Sequence, residues 1–562
     1  MTVNVIDDKK IGILLTAGST TNAKFQLFEE SEHMISEGKM VQILSGGRRI
    51  LAYVSELEPH NDFYTKGDAW SESRRKDYKI PSNVARQYVT GDLELLGEIP
   101  KLTSIDKPPL PGEIVYDIDI SSDPSKIFGI TRNQTGYVWY GSLLGYDNAP
   151  IPLDVEEFPT HMAVFGTTGS GKSYNMGALI EKFVNIPGGP KRKVAIPMII
   201  IDSNADYADY PEHIQELNSA CQRATRYVFP NSTLIDRPHT EELRIDLGTL
   251  SRTELAEIIM QFYTGGDLPE LQLTGLEIAI ERLENDNVIG NPSDEHPRFR
   301  YSEIFTNENI FNSLLNHIRQ LSAGAQARIH PSAAGAIFRG LEKFRREALE
   351  TRIFNGTPTV TETFLEQLTS NHEMAIIDFS SDGAPGISLE LKQAIVGYFA
   401  SLVYEQFTRY KTRRTSGRYI LFAIEEAHYY VPNTAIYNIG AGLARRKLHL
   451  IATQGRKFGI GLCLISQRPA FLDEIVLSMV NSFFIHKVAY GDVSFVKKVT
   501  GGMNKSLEKK LTTLSKGQVV VSGLMSKILP IPIAIRVSPK TDRIVPHTAG
   551  TTNVVEGLLG DT

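Results

Sequence analysis

Residues 166–173 read Gly166-Thr167-Thr168-Gly169-Ser170-Gly171-Lys172-Ser173, the G-x-x-x-x-G-K-S spacing of a phosphate-binding loop. Its glycines let the backbone wrap a polyphosphate with N–H groups turned inward, and a helix that follows adds the positive end of its dipole. Lys172 is expected to bridge the terminal phosphates, and the Ser173 hydroxyl to hold Mg²⁺. Farther along, the apolar run 419–424 ends in Glu425-Glu426-Ala427-His428. A buried strand that delivers adjacent carboxylates suits nucleotide hydrolysis: Glu425 for the hydration shell of Mg²⁺, Glu426 to orient or deprotonate the attacking water. A second apolar run, 462–465, hands over Ser466-Gln467-Arg468-Pro469, with Gln467 read as a sensor of the γ-phosphate. ATP and Mg²⁺ are therefore the expected cofactors.

Two further strand-like runs end in acids. Asp202, with Asp206 just beyond it, is read equally as a neighbour of the nucleotide or as a loop cap. Asp378 is read as a cap. The basic stretch 444–459 has Ala444, Leu448 and Ile451 at helical spacing as its buried stripe. The planar guanidinium of Arg456 matches a phosphate better than an ammonium does, which makes it a candidate to reach the ATP of a neighbouring subunit. Lys447 is read as solvated surface, while Arg445 and Arg446 are open between surface and function.

The elements that must position these residues change character along the chain. Short β-branched and aromatic runs at 11–16, 23–28, 40–44, 50–57, 114–118 and 137–144, separated by Gly, Asn, Asp and Pro, call for a small barrel or sandwich. A polar loop at 68–79 interrupts them. From about residue 150, buried-strand candidates at 162–165, 198–201, 375–377, 419–424, 462–465 and 483–488 alternate with helical patterns. That alternation implies a parallel sheet covered on both faces, hence an α/β fold. Residues 268–350 are helical in periodicity and read as an insertion.

Composition narrows the function classes. Among 562 residues, 41% are hydrophobic and 22% charged, as in globular domains and unlike disordered chains. The net charge of −6 leaves no blanket basic surface, so nucleic acid would have to meet local clusters. Cys221 and Cys463 are the only two cysteines, too few for a disulfide framework or a zinc ribbon, and a reducing, cytoplasmic setting is expected. No apolar run approaches the roughly 20 residues of a membrane span.

The ordered series VFGTTGSGKS, IIIDSNADY, EEAH, ATQGRKFGIGL, ISQRPA and LSKGQVVVSG resembles the HerA family of FtsK-related DNA translocases, over essentially the whole chain. The resemblance implies a RecA-like P-loop ATPase core at 151–265 and 371–540. It adds an N-terminal small β-barrel at 1–150, a helical insertion at 266–370, and a C-terminal tail at 541–562 that braces the neighbouring subunit. It also implies a homo-hexamer threading duplex DNA, with Arg456 facing the next subunit's ATP. The partner would be a nuclease of NurA type or a sirtuin-like effector, serving DNA-end repair or antiviral defence. Two departures stand out: Ser203-Asn204-Ala205 replace a usual Pro-His-Gly turn, and Thr160 stands where an Arg often precedes the P-loop strand. Two other readings are a P-loop ATPase that moves protein and a scaffold ring that activates a partner enzyme.

Overall fold

The computed structural model describes residues 9–538, apart from 17, 62–63, 65–74, 77–86, 123, 215, 218, 265–269, 287–300, 324–327, 414–416 and 438, together with Arg543 and Val545. The loop expected at 68–79 therefore lies outside the described residues except at Arg75 and Lys76, and so does the tail except at Arg543 and Val545.

Six strands open the chain: β1 (Lys10–Leu14), β2 (Asn22–Leu27), β3 (Met40–Ser45), β4 (Arg48–His60), β5 (Tyr88–Glu98) and β6 (Ile114–Asp117). They close into a barrel in the order β1-β2-β5-β4-β3-β6, with every neighbouring pair antiparallel. Its interior is filled by small and branched residues around Phe25, among them Val41, Ile43, Val54 and Leu93. The strand β5 is not among the runs expected from sequence, because glycines interrupt its apolar pattern. One of them serves closure: a Cβ on Gly91 would lie 2.6 Å from the Phe25 ring and 2.9 Å from the Glu56 carbonyl oxygen.

Residues 137–144 look like one more strand of this first unit, yet they pair elsewhere. The barrel closes through β1 and β6 and leaves no free edge. Strand β7 (Tyr137–Tyr140) consequently pairs with β9 (Ile151–Asp154), and β8 (Ser142–Leu143) joins the edge of the second sheet.

That second sheet begins with β10 (Met162–Phe165). A small hairpin of β11 (Ile186–Pro187) and β12 (Lys193–Val194) stands apart from it. The chain then supplies β13 (Met198–Asp202), β14 (Ala224–Val228), β15 (Thr240–Glu242), β16 (Met374–Asp378) and β17 (Ile420–Ile424). Last come β18 (Ile460–Ser466), β19 (Ser482–Ile485), β20 (Gln518–Gly523) and β21 (Ile533–Arg536). The order is β15-β14-β16-β13-β17-β18-β10-β19-β20-β21-β8. Pairing is parallel from β15 to β19 and antiparallel from there to the β8 edge. Strands β10, β13, β16, β17 and β18 are buried at every residue, which is why they read as unbroken apolar runs.

Helix α1 (Lys172–Phe183) follows β10 and buries Met176, Leu179, Ile180 and Phe183. A helical layer spans α2 (Arg252–Thr264), α3 (Glu270–Asn285), α4 (Tyr301–Thr306), α5 (Glu308–Ser322), α6 (Pro331–Thr351) and α7 (Glu362–Ser370). Phe344 is its hub, packing on Phe262, Phe305 and Phe354. Helices α8 (Leu389–Thr412) and α9 (Gly442–Phe458) complete the core.

The surface reading of Lys447 is overturned here. Helix α9 runs between α8 and α2, so Lys447 lands at their junction with its side chain only 8% exposed. Its ammonium sits 2.5 Å from Glu254 and 3.1 Å from Glu405. Arg446 pairs with Glu257 and Arg445 with Asp473, so these cations are fixed within the chain.

Candidate nucleotide-hydrolysis site

Strand order brings the motifs together. β18 lies between β10 and β17, with Phe165 level with Ser466 and Ile424 level with Leu464. The loop after β10, Gln467 after β18 and the two glutamates after β17 thus emerge side by side at the carboxyl edge, where ligands of open α/β sheets bind. Within the loop, Ser170 N–H donates to Thr167 O. Gly166 permits no side chain, since a Cβ there would lie 2.5 Å from Ser170 Oγ and 2.7 Å from His486 Cβ. Gly171 takes φ 107° to turn the chain into α1, a conformation that glycine adopts without strain.

Three side chains form a relay across this edge. Thr168 Oγ1 donates to Gln467 Oε1 at 2.5 Å, and Gln467 Nε2 donates to Glu426 Oε1 at 3.1 Å. Burial raises the Glu426 pKa above the usual carboxylate value, while Lys172 opposes the rise. Burial likewise lowers the Lys172 pKa, against the carboxylates of Glu426, Glu425 and Asp206. Its Nζ donates to Thr167 O at 3.2 Å.

The two glutamates diverge. Glu425 turns inward, where Oε1 accepts from Tyr207 Oη at 3.0 Å and Oε2 from Ser203 N–H at 3.1 Å. Burial, followed by the Asp202 and Asp206 carboxylates, pushes its pKa well above the ordinary value. Both oxygens of this expected Mg²⁺ ligand are thus engaged by the 203–207 loop, and Glu426 alone meets Gln467.

Asp202 is a loop cap: it accepts from the N–H groups of Asn204, Asp206 and Tyr207 and is fully buried. Asp206 is half-buried and adds its charge to the field on Lys172, Glu425 and Glu426. Asp378 caps Ser380 and pairs with Arg226 Nε at 2.9 Å. Arg456 is not brought to this edge. It sits exposed in the last turn of α9, before the amino end of β18, and the strand's seven residues put it about 20 Å from its own loop.

The residues present fit a nucleoside triphosphate with Mg²⁺. Ser170 Oγ and Glu426 Oε2 are buried without a hydrogen-bond partner, Gly166 clears the backbone for close approach, and Ser173 sits half-buried in the first turn of α1. Magnesium keeps several waters and needs few protein ligands.

Several residues here were not singled out from sequence. Tyr207 holds Glu425. His428, its pKa held down to about 4 by burial with Arg468 and Lys172 nearby, stands between Glu426 and Ser466. Lys487 and Lys516 border a cavity of about 500 Å³ beside Thr167–Ser170. Lys487 falls within the apolar run expected at 483–488 and Lys516 within the LSKGQVVVSG segment, but neither spacing by itself marks a lysine that borders the loop.

A phosphate-binding loop and a carboxylate strand separated by one sensor strand on a parallel sheet define an ATP-hydrolysing P-loop enzyme with a RecA-like core. Residues 138–403 match the family described as the central domain of helicase HerA. The DNA double-strand break repair helicase HerA of Sulfurisphaera tokodaii is 22% identical over 537 residues, covering 94% of this chain and 92% of that protein. The protein of the same name from Pyrococcus furiosus is 25% identical over 430 residues, 71% of this chain and 68% of its own. Among solved structures, VirB4 of Thermoanaerobacter pseudethanolicus is similar at 14% identity with a TM-score of 0.46, over 72% of this chain and 97% of that one. Over these spans the chain is similar to the HerA helicases.

Proposed function

We propose that this chain is an ATP-driven duplex-DNA translocase that works as a homo-hexameric ring. In this reading the loop N–H groups and Lys172 hold the β- and γ-phosphates, and Ser173 holds Mg²⁺. Bound Mg·ATP supplies the transferable phosphoryl group and the cation that neutralises its charge. Glu426 accepts a proton from the attacking water. The Thr168–Gln467–Glu426 relay is the observation that carries the reading, because it links the phosphate loop to the base through one sensor side chain. Arg456 is assigned to the neighbouring subunit's ATP; its exposure at the opposite sheet edge from its own loop supports that assignment.

The DNA assignment rests on the relatives named as DNA double-strand break repair helicases. With a net charge of −6 per chain, the DNA contacts are placed inside the ring's channel. The partner is a nuclease of NurA type or a sirtuin-like effector, in DNA-end repair or antiviral defence. We place the protein in the cytoplasm: both cysteines are free and buried, and no helix among the described residues is long and apolar enough to cross a membrane.

ATP turnover measured with and without duplex DNA over a salt series tests this reading. DNA should stimulate turnover without sequence preference, and the stimulation should fade steeply with salt as phosphate contacts are lost. Turnover indifferent to DNA would favour a ring that serves as scaffold for its partner.

A further inference from the structure

Outside the site, Arg543 is a buried cation with a partner for each of its guanidinium nitrogens. Its side chain is 4% exposed and lies lengthwise along α1. Nε donates to Glu181 Oε1 at 2.7 Å, Nη1 to the Tyr174 carbonyl oxygen at 3.0 Å, and Nη2 to Tyr210 Oη at 2.7 Å. The guanidinium also sits 4.9 Å from the centre of the Tyr174 ring. Val545 N–H donates to the same Glu181 oxygen, and Tyr174 Oη donates to Ser538 O at 2.6 Å. Gly177 leaves the room for this, since a Cβ there would come within 2.8 Å of both Arg543 Nη2 and Tyr210 Oη.

The helix so clasped is the one that carries Lys172 and Ser173 in its first turn, and Tyr174 is the next residue. A buried guanidinium with fork geometry fixes direction as well as charge. Tyr140 Oη holds the same turn through Asn175, so the phosphate-bearing end of α1 is held by a second group besides Arg543. We propose that Arg543 is a positioning residue for nucleotide binding: docked along α1, it holds the phosphate loop in register, so that Arg543 docking and nucleotide binding stabilise each other. The inference rests on the ATP reading above.

Coupling of this kind is reciprocal, which allows a test on the unaltered full chain. Hydrogen exchange is followed with and without Mg²⁺ and a slowly hydrolysed ATP analogue. Exchange should slow in the phosphate loop and also, about threefold or more, at the Val545 amide. Slowing in the loop with no change at Val545 overturns the proposal. No slowing in either place counts against the ATP site itself. In parallel, Arg543→Ala should raise the Kd for the analogue about tenfold. Arg543→Lys should recover part of that, because an ammonium can still pair with Glu181 but cannot span Tyr174 and Tyr210. An Arg543→Ala protein that binds with the unaltered Kd overturns the proposal, and should that variant not fold, the exchange result decides.

Discussion

Lys172 and Glu426 divide the chemistry in a way that separate substitutions expose. Lys172→Ala removes the side-chain cation assigned to the β/γ-phosphates and should abolish turnover. Glu426→Gln keeps the shape and the contact with Gln467 but cannot take a proton, so ATP should bind while kcat falls by about 10²–10⁴. A Glu425→Gln chain that traps ATP, beside a Glu426→Gln chain that only weakens Mg²⁺ affinity, would reverse the two assignments. The pH profile follows from the buried position of Glu426. The base must be ionised, and its pKa is raised, so kcat should begin to fall at a higher pH than an ordinary glutamate would give. Kinetics in the presence of saturating ATP show whether it does.

Among the elements, α9 is held by groups that its amphipathic pattern does not advertise. Burial alone would raise the Glu254 pKa, but hydrogen bonds from Lys447, Ser401 and Ser251 outweigh it and hold the group below the usual range. Lys447→Met should therefore cost about 3 kcal/mol or more, because it strands a buried carboxylate. Replacing Glu254 by Leu in the same chain should return much of the loss, as chemical denaturation would show. His161, just before β10, ties the same helix to the sheet: Nδ1 accepts from Leu462 N–H, and Nε2 faces Ala452 O at 3.0 Å. Burial holds its pKa down to about 4, with a smaller push from Arg456. The stability gap between the native chain and His161→Ala should thus be full above pH 6.5. It should shrink as pH falls toward 4, by at most about 1.4 kcal/mol per pH unit, because protonation removes the acceptor. A gap that widens on acidification would mean that His161 is charged in the fold.

For the whole molecule the question is where the missing positive charge comes from. Arg468 adds its charge to the field on Glu426, but among the described contacts no arginine side chain hydrogen-bonds to the Thr168–Gln467–Glu426 relay, and an arginine finger is worth about 10³–10⁵ in rate. Arg456→Ala should accordingly bind ATP and assemble, yet hydrolyse slowly. Mixed with Lys172→Ala subunits, it should regain part of its activity, since some interfaces then pair an intact loop with an intact Arg456. If mixed rings form and activity does not return, rings of native chain doped with each variant distinguish action in cis from a ring that requires every site.

Local placement was legible in the order of residues. Gly166–Ser173, the Glu425-Glu426 pair, Gln467 and the strands that carry them could be read because each depends on spacing within one short segment. So could the apolar runs of the central sheet, whose burial on both faces leaves a continuous signal. What depended on neighbours from far along the chain could not be read: the turn of Glu425 toward Tyr207, the burial of Lys447 and the clasp of Arg543 on α1. The same holds for β5, whose glycines hide a strand that only barrel closure requires, and for 137–144, which pair away from a barrel with no free edge. A motif states which groups are available, but the direction a carboxylate faces and the partner a cation finds are set by strand order and helix packing, which no local window contains.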